Sequence, residues 1–124
     1  MKIVISNHSE LPIYAQVKEQ IKEQIMTGVI LEGTKLPSIR QLAKDLKISV
    51  ITITRAYSEL ESEGYIATMQ GKGSVVLGRD NDLLREQYLR RIEEALETAI
   101  ETARFLKLSN EELIDMLGNL IDDE

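Results

Sequence analysis

The most regular hydrophobic pattern of the chain lies in residues 37–65, where apolar positions recur at the spacing of two short helices. The first helix is predicted to begin at Ser38, because Ser38 and Gln41 match the S-x-x-Q capping box, and Ser49 can cap the second. A turn at residues 47–48 separates them. Such a pair is typical of the helix-turn-helix, whose second helix lies in the DNA major groove, so the pattern predicts DNA binding. The two apolar stripes are Ile39, Leu42, Ala43 and Leu46, then Ile53, Ala56, Tyr57 and Leu60.

The flanking segments complete a small domain. Residues 12–28 predict a helix that starts at a proline and ends at a glycine, and residues 29–36 predict an extended connector. Residues 65–77 predict a β-hairpin with its turn at 70–73, which after a helix-turn-helix is the wing of a winged helix. Residues 2–6 alternate weakly and predict a short strand or a loose arm.

Two further helices are predicted after Asp80. A long helix runs to about Leu108, and Ser109 with Glu112 forms a second capping box that starts a short one. A single helical hairpin buries both apolar faces poorly, so we expect a homodimer around a small bundle; packing of the tail on the first domain is the alternative. The predicted dimerisation residues are Leu84, Tyr88, Ile92, Leu96, Ala99, Ala103, Leu113, Leu117 and Leu120.

These elements define the expected fold class. We predict a mostly α chain with a small β-hairpin, divided into a winged helix-turn-helix domain, residues 1–79, and a two-helix dimerisation hairpin, residues 80–124.

Charge is unevenly distributed between the two segments. The chain has a net charge of −6, but residues 1–78 carry nine basic and eight acidic residues, whereas residues 79–124 carry six and thirteen. The net charges are therefore +1 and −7, and we expect the acidic tail to face away from a polyanion. There is no cysteine, the apolar start breaks at residues 6–8, and no run approaches the roughly 20 residues that span a bilayer. We expect a soluble, cytoplasmic protein with no membrane partner.

Catalytic and metal-binding patterns are missing from the sequence. His8 is the sole histidine, and the glutamates of residues 93–101 have no accompanying ExxH pattern. The Gly-Lys-Gly of residues 71–73 lacks the spacing of a phosphate-binding P-loop. We therefore expect neither an enzyme nor a metal or cofactor.

Candidate DNA contacts are plentiful by comparison. Ser38 and Ser49 precede helix N-termini, whose free N–H groups suit phosphates. Arg40 and Arg55 can bind phosphate or a guanine edge, and Lys72 at the hairpin tip can enter a minor groove. The polar side of the second helix presents Val50, Ile51, Thr52, Thr54, Arg55 and Ser58. Val50 and Ile51 are apolar where exposure is expected, and either contact with thymine methyl groups or packing would explain them.

Four motifs in residues 11–77 resemble the DNA-binding domain of the GntR family of bacterial transcription regulators: PIYAQ, GTKLPSIRQLA, TITRAYSELESEG and GKGSVV. With the short helical tail, the chain is most similar to the YtrA subfamily. The resemblance implies a dimeric repressor that binds an inverted repeat, often near genes for membrane transport systems. It also implies DNA contacts by Arg40, Ser49, Val50, Thr52, Thr54, Arg55, Gly71, Lys72 and Gly73. Many members carry a polar or basic residue where Val50 and Ile51 stand here.

Two questions stay open at this level. A winged helix can also serve protein assembly without specific DNA binding, and the acidic tail would then be the interaction module. A small-molecule effector is undetermined, because about 45 tail residues cannot enclose a typical pocket of ~300–1,000 Å³ in one subunit. An effector would then bind at the dimer interface or between the domains.

Overall fold

The computed structural model describes residues 1–78 and 80–124, and within them five helices and one β-hairpin follow in sequence. This confirms the mostly helical fold with a small hairpin. The described residues include no helix long and apolar enough to cross a membrane. The chain divides into two compact units, Met1–Gln87 and Tyr88–Glu124. The elements are α1 Ile13–Met26, α2 Ile39–Leu46, α3 Val50–Ser62, β1 Ile66–Met69, β2 Gly73–Val76, α4 Asp82–Phe105 and α5 Asn110–Asp122.

The core of the first unit forms where α3 packs on α1 and α2. The predicted stripes of α1 and α3 meet there, and Val17, Ile21 and Ile53 have no exposed surface. Tyr57 is 4% exposed, and its hydroxyl donates a hydrogen bond to the Pro37 carbonyl oxygen at 2.7 Å. That bond fixes the start of α2 against α3, and burial raises the pKa of the Tyr57 hydroxyl.

The turn between α2 and α3 is a Schellman motif. Lys47 adopts the left-handed conformation, with φ 57°, and the Ile48 N–H donates to the Ala43 carbonyl oxygen at 2.9 Å. The Ser49 side chain then accepts from the Thr52 N–H at 3.2 Å and caps α3. The turn therefore closes one helix and opens the next within four residues, 46–49.

The connection between α4 and α5 repeats this turn. Residues 106–109 read Leu-Lys-Leu-Ser, against Leu-Lys-Ile-Ser at 46–49, and Lys107 has φ 59°. The Leu108 N–H donates to the Ala103 carbonyl oxygen at 2.9 Å. Ser109 and Glu112 form the reciprocal capping box that the sequence predicts. Similar local sequences thus form the same turn, a left-handed lysine followed by a serine N-cap, at both sites.

The wing has more strand pairing than the sequence indicates. β1 and β2 pair antiparallel, with Ile66 opposite Val76 and Met69 opposite Gly73. The preceding connector adds a short third edge, because the Leu36 N–H donates to the Ser74 carbonyl oxygen and the Val76 N–H to the Thr34 carbonyl oxygen, both at 2.9 Å. Only residues 34–36 of the connector are extended, with Lys35 in an isolated β-bridge to Val75, whereas residues 29–33 bend and turn, so the prediction of an extended connector is only partly correct.

The N-terminal arm, residues 2–6, runs antiparallel along α1 and is held by three glutamines. Each glutamine side chain accepts a hydrogen bond from the backbone N–H of one arm residue and donates one to the carbonyl oxygen of the same residue. The glutamines are four residues apart and the arm residues two apart, so a helix face pairs with an extended chain. The pairs are Gln24 with Lys2, Gln20 with Val4 and Gln16 with Ser6, at N···O distances of 2.6–3.1 Å.

The apolar faces of the second unit are mostly exposed. No residue of α5 is buried, and Leu117 and Leu120 are 44% and 64% exposed. Two of the predicted dimerisation residues are already buried within one chain. Leu84 is 1% exposed and belongs to the core of the first unit, and Ala103 is 5% exposed.

Candidate nucleic-acid interface

The outer face of α3 is exposed. Its inner positions are buried against α1 and α2, which turns Ile51, Thr54 and Ser58 outward. Ile51 is 82% exposed and Val50 is 47% exposed. Packing therefore does not explain these two apolar residues, and a helix face with this exposure is free to enter a groove.

The two serines predicted to cap the helices do so. The Ser38 side chain accepts from the Gln41 N–H at 3.1 Å, and Ser49 caps α3. The capping box at Ser38 is only half formed, which corrects the sequence prediction, because the Gln41 amide donates instead to the Asp45 carboxylate at 2.7 Å. Thr52 is half-buried, and its hydroxyl lies 2.8 Å from that of Ser49. Thr52 therefore supports the start of α3 from the side of the helix.

Arg55 has partners that the sequence did not reveal. Its guanidinium lies 3.7 Å from the ring centroid of Tyr14 on α1, and its Nε donates to the Glu59 carboxylate at 3.2 Å. A cation stacked on an aromatic face and paired to a carboxylate is held in place from two sides. Arg55 remains 60% exposed but lies towards α1.

Glu59 is the centre of an ion-pair cluster between α1 and α3. It accepts from the Lys18 ammonium at 2.9 Å as well as from Arg55, and Lys18 also pairs with Glu63 at 2.9 Å. Hydrogen bonds from Lys18 and Arg55 hold the pKa of Glu59 below its usual range. Burial alone would lower the pKa of Lys18, but its bonds to Glu63 and Glu59 outweigh that effect and raise it. The cluster joins the two helices through residues of α3 and its C-cap that follow one another at helical spacing, Arg55, Glu59 and Glu63.

The tip of the wing carries two cations. Gly71 and Gly73 both have φ 78°, a left-handed conformation that glycine adopts without strain, and they flank the exposed Lys72. Lys35 approaches the same tip, because a Cβ on Gly73 would lie 3.5 Å from the Lys35 Cε. Lys35 is not among the predicted DNA contacts, because nothing in the sequence indicates that the connector pairs with the wing. The Thr68 N–H donates to the Glu61 carboxylate at 3.2 Å and ties the wing to α3.

The predicted contact residues therefore occupy one unit, Met1–Gln87, with Arg40 exposed in the first turn of α2. Thr54 is exposed, but its hydroxyl donates to the Val50 carbonyl oxygen at 2.8 Å. Within residues 1–78 and 80–124, no three histidine, cysteine, aspartate or glutamate side chains are grouped to hold a metal ion. The surface suits recognition of a groove and its phosphates.

Comparison with known proteins agrees with this geometry. The family model described as bacterial regulatory proteins, gntR family, matches residues 13–76. The HTH-type transcriptional repressor YtrA of Bacillus subtilis (strain 168) is 34% identical over 121 residues, which cover 98% of this chain and 93% of that protein.

Solved structures extend the comparison. YtrA from Sulfolobus acidocaldarius, a GntR-family transcription factor, is 30% identical with a TM-score of 0.70, covering 98% of this chain and 97% of that one. The DNA-binding domain of AraR in complex with operator ORX1 is 34% identical with a TM-score of 0.53, covering 61% of this chain and 95% of that one. Since the family model matches more than half of the chain and a relative above 30% identity spans nearly all of it, this chain belongs to the GntR family of bacterial regulatory proteins.

Proposed function

We propose that this chain is a cytoplasmic transcriptional repressor that binds a pseudo-palindromic operator as a homodimer, with one winged helix per half-site. The observation that carries the proposal is the exposed outer face of α3, in the same unit as the exposed Arg40 and the wing-tip cations Lys35 and Lys72. The operator complex of AraR supports it, because that DNA-binding domain is similar in structure to 61% of this chain.

A titration with the DNA upstream of this protein's own gene tests the proposal. At two salt concentrations, we expect tight, sequence-selective binding whose log–log salt slope is on the order of several units, as for contacts to several phosphates. Arg40→Ala should weaken binding, whereas the matched control Arg90→Ala, an exposed arginine of α4, should not. Lys72→Ala should reduce the slope by about one unit. Weak binding indifferent to salt and sequence would instead favour a winged helix that binds protein.

The proposed dimer rests on the exposed apolar residues of the second unit. Ile92 and Leu96 of α4 are 56% and 44% exposed, and α5 adds Leu117 and Leu120. Exposed faces of this extent on two helices are typical of a surface that another chain covers. We therefore propose that a second copy covers them.

Mass measurement at micromolar concentration tests the dimer. The wild type should have twice the chain mass of 14.0 kDa. Leu96→Glu or Leu120→Glu should give monomers, whereas Thr98→Glu, which changes an exposed residue on the other side of α4, should keep the dimer. A monomeric wild type would refute this part of the proposal without touching DNA recognition.

Two finer proposals concern the regulated genes and a small-molecule effector. We propose that the regulated genes encode a membrane transport system. Any small-molecule effector would bind at the dimer interface or between the domains. Measuring the affinity for the operator in the presence of candidate metabolites would identify it.

A further inference from the structure

The exposed apolar side chains at the start of α3 point to a base preference. We infer that Ile51, with Val50 beside it, reads the C5-methyl groups of thymines in the major groove of each half-site. This inference rests on the proposed function, since it requires an operator. Ile51 is 82% exposed, whereas Ile21 and Ile53, in the core of the same unit, have no exposed surface. An isoleucine so placed gains contact only when a partner covers it.

The other residues of the outer face leave little means of reading bases by hydrogen bonds. Guanine is read mainly by arginine or lysine, and adenine by asparagine or glutamine. The exposed positions 50, 51, 54, 55 and 58 of α3 include a single side chain of these four types, Arg55. Arg55 is stacked on Tyr14 and bonded to Glu59. The Thr54 hydroxyl donates its proton to the helix backbone.

Thymine is the base that such a surface can distinguish. Of the four bases, thymine alone presents a methyl group in the major groove, and apolar side chains contact it there. Val50 and Ile51 are consecutive, so they project about 100° apart around the helix and reach different base steps. The structure therefore favours two thymine-bearing steps facing the first turn of α3 in each half-site.

Removal of single methyl groups from the DNA tests this inference. An operator is first selected from a random DNA library with the full-length protein. Each thymine is then replaced in turn by deoxyuridine, which removes the methyl group alone. Wild type should lose about fourfold in affinity at the contacted position, the equivalent of about 0.8 kcal/mol for one buried carbon group. Ile51→Ala should bind the selected operator more weakly and show no further loss with deoxyuridine there.

A matched control keeps the result specific. Leu31→Ala shortens another exposed aliphatic side chain of the same unit, 66% exposed, and should retain wild-type affinity and wild-type sensitivity to deoxyuridine. If the combined effect of Ile51→Ala and deoxyuridine on the binding free energy is smaller than the sum of their separate effects, the two groups are in contact. This comparison separates the contact from general effects of the substitution on α3. Unchanged melting temperatures of the variants establish that each remains folded.

The outcomes separate the inference from the proposed function. Tight operator binding that is unaffected by deoxyuridine at every position would overturn methyl readout and leave the repressor proposal standing. Deoxyuridine sensitivity that persists in both Ile51→Ala and Val50→Ala would assign the methyl contact to another residue and overturn the inference as well. If no sequence is selected from the library, the proposed function itself fails.

Discussion

Gly64, between α3 and β1, is a position where an added methyl group should have a large and calculable effect. Its φ is +87°, and a Cβ there would lie 2.8 Å from the backbone N of Leu84 and 2.9 Å from the Cβ of Leu83. Gly28 offers a matched control, because its φ is +81° and no atom lies within 4 Å of the Cβ position. The two glycines therefore share backbone strain and differ in the space around them.

The two alanine variants separate these contributions. A left-handed non-glycine residue costs about 1–2 kcal/mol, and the loss of unfolded-state entropy offsets about 0.4–1 kcal/mol of it. Gly28→Ala should thus reduce the free energy of unfolding by at most about 1.6 kcal/mol. Gly64→Ala adds the cost of overpacking, about 1–3 kcal/mol, because the backbone at Leu84 must shift. Its expected loss is about 1–4.6 kcal/mol, and the difference between the two variants is the overpacking cost of about 1–3 kcal/mol.

Urea unfolding followed by circular dichroism measures both losses. Protein concentration must be the same in all samples, because the stability of an oligomer depends on it. Equal losses for Gly64→Ala and Gly28→Ala would refute the reasoning, since they would mean that the start of α4 does not lie against the end of α3.

Two further predictions concern links between elements of the first unit. Tyr57→Phe removes the hydrogen bond to Pro37 and should reduce the free energy of unfolding by about 1–2 kcal/mol in the same urea assay; an unchanged midpoint would contradict the bond. Because its bonds lower the pKa of Glu59 in the folded state, Glu59 contributes stability above its unfolded pKa of about 4.3, and this is lost as pH falls through the lower folded pKa. The stability advantage of wild type over Glu59→Gln should therefore shrink between pH 6 and pH 3, and a constant difference would contradict the ion pair.

Local features of the first unit could be predicted from sequence. Ser38 and Ser49 set the starts of α2 and α3 through bonds within three residues, and the glycines of the wing fix its turn. Such interactions are encoded in short stretches, so spacing and residue type suffice to predict them. The GntR motifs fall in the same stretches.

Interactions between distant segments could not be predicted in the same way. Arg55 stacks on Tyr14, 41 residues earlier, and Leu36 pairs with Ser74, 38 residues later. Leu84 continues the apolar stripe of α4, yet it is buried in the first unit. The spacing of apolar residues shows which face of a helix is apolar. It does not show which other segment packs on that face. The sequence therefore named Arg55 and Leu84 as functional residues without revealing their partners.

The pairing of the N-terminal arm with α1 joins two segments whose paired residues have slightly different spacings. Two residues of extended chain advance about 6.7 Å, whereas four residues of α-helix advance about 6.0 Å. Each further glutamine–arm pair is therefore misaligned by about 0.7 Å more than the one before it. Three pairs tolerate this mismatch, because their N···O distances stay between 2.6 and 3.1 Å. With many more pairs the mismatch would exceed hydrogen-bonding distance, so the rise per residue of the helix limits the length of arm that can be bound in this way.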